Sequence, residues 1–372
     1  MKKKFSLLLV AILVLSLFAG CQSTPVQQGQ SGGLELGIVL PTKEESRWLG
    51  DEAMFKQMIE QSGIKAEILF SQNNSATEKT NVETLISKGA DIIVLCPFDA
   101  TAAGAAVNDA HKEGIKVISY DRLIMDTDGL DYYATFDSVS VGAAMAQYLV
   151  DQAGNTKGNN LYLYSGALTD NNSLMFFKGS WQVLQPKIAD GTFIIQNCAK
   201  AVELSKKAEL TRDEYISIMG TIDSEWNMQV CKSLAEAHLT ASNSSAKGTV
   251  YVLSPADDDC ARSLSDTFRA DADVEKLIIT GADGVKSSVQ YIIDGKQSMT
   301  VYKDPKALVT ATMNIVNAVR EGKEAQYDTT YDNNKMKVPS VQADVVTITK
   351  DNIVEKFFDS GVYNGSEFTN WK

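Results

Sequence analysis

Residues 91–120 read DIIVLCPFDATAAGAAVNDAHKEGIKVISY, and their reading decides the fold. Asp91–Cys96 ends in a short, unbroken apolar run, the pattern of a strand buried on both faces of a parallel sheet. Ala102–Glu113 carries helical apolar spacing, and Gly114 stops it. Lys116–Tyr120 (KVISY) is the next strand. Strand, helix, strand within 30 residues is the unit of a parallel α/β sheet.

The alternation extends both ways. Upstream, Leu36–Leu40 reads as strand, Trp48–Ser62 as an amphipathic helix ended by Gly63, Ala66–Ser71 as strand and Thr77–Lys88 as helix. Downstream come a strand at Tyr132–Phe136 and a helix at Val141–Gln152. The pattern then restarts. Asn160–Tyr164, Phe193–Gln196, Thr249–Leu253, Leu277–Thr280 and Met299–Tyr302 read as strands. Phe176–Gln185, Trp226–His238, Cys260–Phe268, Val285–Asp294 and Ala307–Arg320 read as helices between and after them. Two successive units predict an α/β fold of two doubly wound parallel-sheet lobes. Ligands bind beyond the strand C-termini of such sheets, so two facing lobes define one cleft.

The chain has 372 residues, 35 Lys+Arg, 47 Asp+Glu and a formal charge of −12. Apolar residues make up 44 % and charged residues 22 %, values of an ordinary globular protein that argue against wholesale disorder. The acidic balance argues against nucleic acid, which needs a concentrated positive field. Only two histidines, His111 and His238, are present and far apart, so no metal centre is expected. No cofactor is implied either.

Residues 1–20 (MKKKFSLLLVAILVLSLFAG) place three lysines before the apolar run Phe5–Phe18. That is an export signal, too short to span a membrane comfortably. Its loss leaves 32 bases against 47 acids, a charge of −15. Residues 22–33 (QSTPVQQGQSGG) hold one apolar side chain and read as a tether with a reach of about 20 Å. No later stretch reaches 18 apolar residues. Cys96, Cys198, Cys231 and Cys260 form no CxxC pair and allow three pairings. Cys96 lies in an apolar run and reads as a small buried hydrophobe.

The chemistry is expected where strands stop. Arg47 and Trp48 follow the first strand, and Asp121 and Arg122 follow KVISY. Asp170-Asn171-Asn172 follows LYLYSG, and Trp226 opens a helix. Asp257 follows YVLSP, Asp283 follows IITGA and Lys303 ends MTVY. Carboxylates accept, Arg and Lys donate, and Asn does both. Indole faces cover apolar C–H patches. This mixture suits a neutral polyol such as a pyranose rather than a phosphate or an apolar ligand. After residue 33 the chain carries no GxSxG, P-loop, HExxH or GxGxxG pattern, so no enzyme is expected.

The segments PTKEESRW, GADIIVLCPFDAT, GIKVISYDRL, DYYATFDSVSVG, DNNS, TGADG and VYKD occur in that order. Together they resemble the type I periplasmic sugar-binding proteins of ABC transporters, especially the D-xylose-binding and multiple-sugar-binding receptors. The Ala19-Gly20-Cys21 junction resembles a bacterial lipobox, with Phe18 where Leu is usual. It implies cleavage before Cys21 and a lipid on its sulfur. The resemblance implies roles by position. Arg47 and Trp48 approach the ring, and Asp121 with Arg122 forms a planar pair. Asn172 reaches from the second lobe, and Trp226 stacks on the opposite face. Asp257, Asp283 and Lys303 complete the hydrogen bonding. The resemblance covers residues 34–345, and Cys198–Ser224 departs from the family spacing.

The resemblance further implies three crossings between lobes, near Phe136–Ser140, Lys303–Pro305 and Tyr331–Val338. Residues 34–138 with 304–335 then form the N-terminal lobe, and 139–303 with 336–372 the C-terminal lobe, hinged about the cleft. The implied protein is a monomeric lipoprotein outside the cell membrane, held there by its lipid alone. It carries a monosaccharide (xylose or a related pentose or hexose) to a permease and its ATPase. The alternative is a receptor presenting the sugar to a sensor or histidine kinase. An export signal where a DNA-binding headpiece would stand excludes the related repressors.

Overall fold

The computed structural model describes residues 33–372. The expected leader (1–20), the lipidated Cys21 and the tether up to residue 32 lie outside the described residues. In chain order, β1 (Leu36–Leu40), α1 (Ser46–Ser62), β2 (Ala66–Phe70), α2 (Ser75–Ser87) and β3 (Ile92–Leu95) come first. They are followed by α3 (Ala103–Lys112), β4 (Lys116–Tyr120) and β5 (Tyr132–Phe136). These five strands pair in parallel in the order β5-β4-β3-β1-β2. Every residue of β1 and β3 is buried, because helices cover both faces of the sheet. Helix α1 ends where Gly63 takes φ 67° and returns its N–H to Ile59 O at 3.0 Å, a left-handed stop that glycine adopts without strain.

The chain then crosses to the second lobe. There it forms α4 (Ser138–Ala153), β6 (Asn159–Leu163), α5 (Asn171–Ala189), β7 (Phe193–Ile195), α6 (Ala199–Leu204) and α7 (Arg212–Met219). Next come α8 (Met228–Ala241), β8 (Gly248–Leu253), α9 (Arg262–Ala270), β9 (Val274–Ile279), β10 (Ala282–Asp283), α10 (Lys286–Ile293) and β11 (Met299–Lys303). The parallel order is β7-β6-β8-β9. Helix α11 (Pro305–Arg320), opened by Asp304 and Pro305, returns to the first sheet. β12 (Thr329–Asp332) and β13 (Lys337–Ala343) extend that sheet's edge, and β14 (Val345–Thr349) joins β10 and β11.

One expectation is corrected. The last crossing is not at Tyr331–Val338. Strand β13 pairs in parallel with β5, Ser340 opposite Tyr133, and Val338 is buried in the first core, so residues 336–343 belong to the first lobe. The chain changes side at Asp344. Both lobes are built on parallel sheets as expected; β12 and β13, joined by a link too short for a crossover, form an antiparallel hairpin at the first sheet's edge, and β14, reached after α11, β12 and β13, runs antiparallel to β11.

The irregular stretch 198–224 holds α6 and α7. A Thr211–Glu214 capping box opens α7, and Leu204, Tyr215, Ile218 and Met219 enter the second core. Helices α4 and α5 touch backbone to backbone: a Cβ on Gly142 would lie 1.8 Å from Phe176 O, and one on Gly179 2.0 Å from Val139 O. Cys231 and Cys260 form a disulfide with Cα atoms 5.6 Å apart, tying α8 to the turn before α9. Cys96 and Cys198 are buried free thiols.

Candidate functional site

The parallel strands of both lobes end at a common cavity. Arg47 lies in the first turn of α1, where β1 delivers the chain to the cleft. Its Nε meets Asp51 Oδ1 at 3.1 Å, one turn along the helix. Its Nη2 meets Asp121 Oδ1 at 3.0 Å, just past β4, and its Nη1 reaches Asp283 Oδ1 of the other lobe at 3.3 Å. Asp51 also accepts the Tyr120 hydroxyl at 2.7 Å. Burial alone would weaken the guanidinium's hold on its proton, but these carboxylates reverse that and keep Arg47 firmly charged.

A second bridge runs from Arg122 Nε to Asp170 Oδ2 of the second lobe, 3.0 Å. Asp170 is the N-cap of α5, accepting Asn172 N–H at 2.8 Å, and also takes the Trp226 indole N–H at 3.2 Å. Burial raises its carboxyl above the ordinary value despite Arg122. Asn172 donates from Nδ2 to the Asp121 carbonyl at 2.8 Å and accepts the Ser138 hydroxyl at 3.1 Å. Lys303 Nζ sits 2.8 Å from Asp283 Oδ1. Burial pushes the Asp283 carboxyl up, but Lys303 and Arg47 outweigh it and hold the group below its ordinary value. Both Arg47 and Arg122 place their guanidinium carbon 5.2 Å from the Trp48 ring, within cation–π range.

Three of these residues hold backbone conformations that side chains disfavour. Asp121 has φ 58°, Trp226 φ 51° and Asp283 φ 105°. Such strain persists only where the surroundings impose it, and it clusters at functional sites.

The cavity encloses about 420 Å³ of unfilled space, part of it open to solvent. Arg47, Trp48, Asp121, Arg122, Asn172, Trp226, Asp283 and Lys303 all line it. Asp257 does not. Its carboxylate is buried below the cleft, accepting Gly284 N–H at 2.8 Å, Val285 N–H at 3.2 Å, Gln297 Nε2 at 2.7 Å and Thr300 Oγ1 at 2.8 Å. It is fully buried and does not reach the cavity, so the structure gives it no contact with a ligand there. Burial, reinforced by Asp283, pushes its carboxyl far up. The expected Asp121–Arg122 pair is also revised: each is paired elsewhere, Asp121 with Arg47 and Arg122 with Asp170.

Glu45 and Phe176 line the cavity and escaped the sequence reading. Glu45 sits immediately before a helix, among charged residues that read as solvated surface. Phe176 could have been found, since it lies four residues beyond Asn172 on the same helix face. Two contacts outside the cavity also join the lobes: Ser46 Oγ to Asp258 Oδ2 at 2.6 Å, and Ala100 N–H to Thr169 O at 2.9 Å.

A family model described as a periplasmic binding protein domain matches residues 36–324. The chain belongs to the periplasmic binding proteins. It is 30 % identical to the multiple sugar-binding periplasmic receptor ChvE of Rhizobium radiobacter, over 96 % of each chain. It is 28 % identical to the D-xylose-binding periplasmic protein of Escherichia coli, over 90 % of this chain and 92 % of that one. Among solved structures, it matches a carbohydrate transporter solute-binding protein from Chloroflexus aurantiacus in complex with D-glucose. That match has a TM-score of 0.88 and 52 % identity and covers 91 % of this chain and 98 % of the other. The relatives are binding proteins, and this binding protein stands with them rather than with enzymes. Among the described residues, no helix is long and apolar enough to cross a membrane.

Proposed function

We propose that this binding protein takes one aldose, D-glucose foremost, into the cavity between its lobes and delivers it to an ABC permease. The observation that carries the reading is the cavity lining. Carboxylates, guanidinium groups, a lysine and an amide alternate around it, and Trp48, Phe176 and Trp226 supply apolar faces. A pyranose hydroxyl both donates and accepts, so it can bond to either kind of group. The choice of glucose over xylose is supported by the 52 % identical structure, which was solved with D-glucose. A single exocyclic carbon is worth about 1–3 kcal/mol of discrimination.

On this reading Arg47, Trp48, Asp121 and Arg122 contact the sugar from the first lobe. Asp170, Asn172, Trp226, Asp283 and Lys303 contact it from the second. The ligand touches both lobes and so favours their closed arrangement by its differential affinity. Calorimetric titration with D-glucose, D-xylose, D-galactose, L-arabinose and D-ribose tests it. Tightest binding of D-glucose is expected, and no heat with any of the five overturns the reading.

The proposal includes a monomer tethered outside the membrane by lipid on Cys21, supported by the Ala19-Gly20-Cys21 junction. Cys21→Ser should shift the protein out of the membrane fraction. Unchanged fractionation contradicts the anchor.

A further inference from the structure

We infer that Glu45 contacts the bound sugar and sets its specificity, one carboxylate oxygen accepting a ring hydroxyl while the other is fixed by Trp48. The inference rests on the proposed function and identifies a determinant within that site. Glu45 lines the cavity beside Trp48, Arg122 and Asp170. Its Oε2 accepts the Trp48 indole N–H at 2.6 Å, and Oε1 has no protein donor among the described residues.

The ionic pairing of the cavity leaves Glu45 over. Its lining holds four carboxylates (Glu45, Asp121, Asp170, Asp283) and three cations (Arg47, Arg122, Lys303). Arg47 serves Asp121 and Asp283, Arg122 serves Asp170, and Lys303 serves Asp283. Among the described residues Glu45 makes no direct ion pair, and burial, only partly offset by the nearby Arg122 charge, raises its carboxyl above the ordinary value. A half-buried carboxylate without a direct ion pair is unfavourable unless donors reach it. One donor is the indole, which also locks the group's orientation. The free oxygen is then an oriented acceptor at the cavity wall, and a hydroxyl is the donor that a sugar supplies. Hydroxyl-to-carboxylate bonds are charge-assisted, so a sugar lacking that hydroxyl leaves the acceptor unmatched.

The test is calorimetry of wild type, Glu45→Ala and Glu45→Gln against D-glucose and its 2-, 3-, 4- and 6-deoxy analogues. Glu45→Ala should weaken D-glucose about tenfold or more, the scale of a hydrogen bond to a charged group. Against one of the four deoxy sugars, the one lacking the partner hydroxyl, wild type and variant should bind alike. A variant that loses nothing, or the same factor for every analogue, overturns the inference and leaves Glu45 a purely structural partner of Trp48. Glu45→Gln can still accept the indole N–H and carries the test if Glu45→Ala does not fold. Failure of wild type to bind D-glucose counts against the proposed function instead.

Discussion

The two sides of the cleft are built differently. The first lobe contributes its key residues as two adjacent pairs, Arg47-Trp48 at the start of α1 and Asp121-Arg122 just past β4, and braces them from behind. Asp51 and the Tyr120 hydroxyl back Arg47, while Tyr133 and Thr135 hydroxyls hold the Asp121 carbonyl at 2.8 and 3.0 Å. The second lobe contributes from four separate places, after β6, just before α8 and at the ends of β10 and β11, and brings the opposing carboxylates, Asp170 and Asp283. The cations on one wall therefore meet carboxylates on the other, through Arg47–Asp283 and Arg122–Asp170. These pairs hold the two walls together, and on the proposed function it is closure that assembles the site.

Arg47→Ala should break the comparison most. It removes the group that joins both walls and leaves Asp51 and Asp121 buried without a cation, a loss of about 3–5 kcal/mol. Calorimetry should show sugar affinity falling at least about a hundredfold. A variant that binds like wild type rules out Arg47 as the bridge.

Each lobe also buries a carboxylate behind the cleft, Glu78 in the first and Asp257 in the second. Burial pushes Glu78 from 4.5 to about 7, against the Phe98 N–H that bonds it. In the window from pH 4.5 to about 7 the unfolded chain holds fewer protons at this site than the folded one. The site's stabilising effect is therefore complete below pH 4.5 and lost as pH rises through about 7. Melting temperatures of wild type should thus fall relative to Glu78→Gln across that window. Parallel curves would show that Glu78 titrates normally.

Gly142→Ala should damage the second lobe alone, because its methyl group has no room against the Phe176 carbonyl. A destabilisation of about 1–3 kcal/mol is expected. Amide exchange should rise across 138–189 while 36–120 stays protected. Uniform loss of protection would mean that the lobes unfold as one unit.

The smallest effect belongs to the rim. Asp258 is held on its own lobe by Arg262 at 2.8 Å and by the Ser287 hydroxyl, and receives Ser46 from across the cleft. Ser46→Ala should weaken every sugar by the same few-fold factor, about 0.5–1 kcal/mol, by raising the dissociation rate. A change in preference between sugars would place Ser46 in the binding site.

Sequence made one wall more legible than the other for a physical reason. Buried parallel strands announce themselves as apolar runs such as IIVLC, and their C-terminal ends mark the cleft. That located Arg47, Trp48, Asp121 and Arg122 together. The same logic found Asp170, Asn172, Asp283 and Lys303, yet misplaced Asp257. A carboxylate after a strand reads the same whether it faces a ligand or accepts backbone N–H groups beneath the floor. Partner choice was likewise invisible: Asp121 and Arg122 are neighbours in the chain, but their side chains diverge. Strand β13 was hidden because its half-buried KVPSVQA pattern, interrupted by proline, lacks the apolar run of its neighbours.

Small-angle scattering of the protein with and without D-glucose tests the central claim most directly. If the ligand draws the opposed walls together, the radius of gyration falls at saturating sugar. Arg47→Ala, with its bridge removed, should not contract at the same sugar concentration. A radius unchanged by sugar that calorimetry shows to be bound would contradict a site assembled by closure.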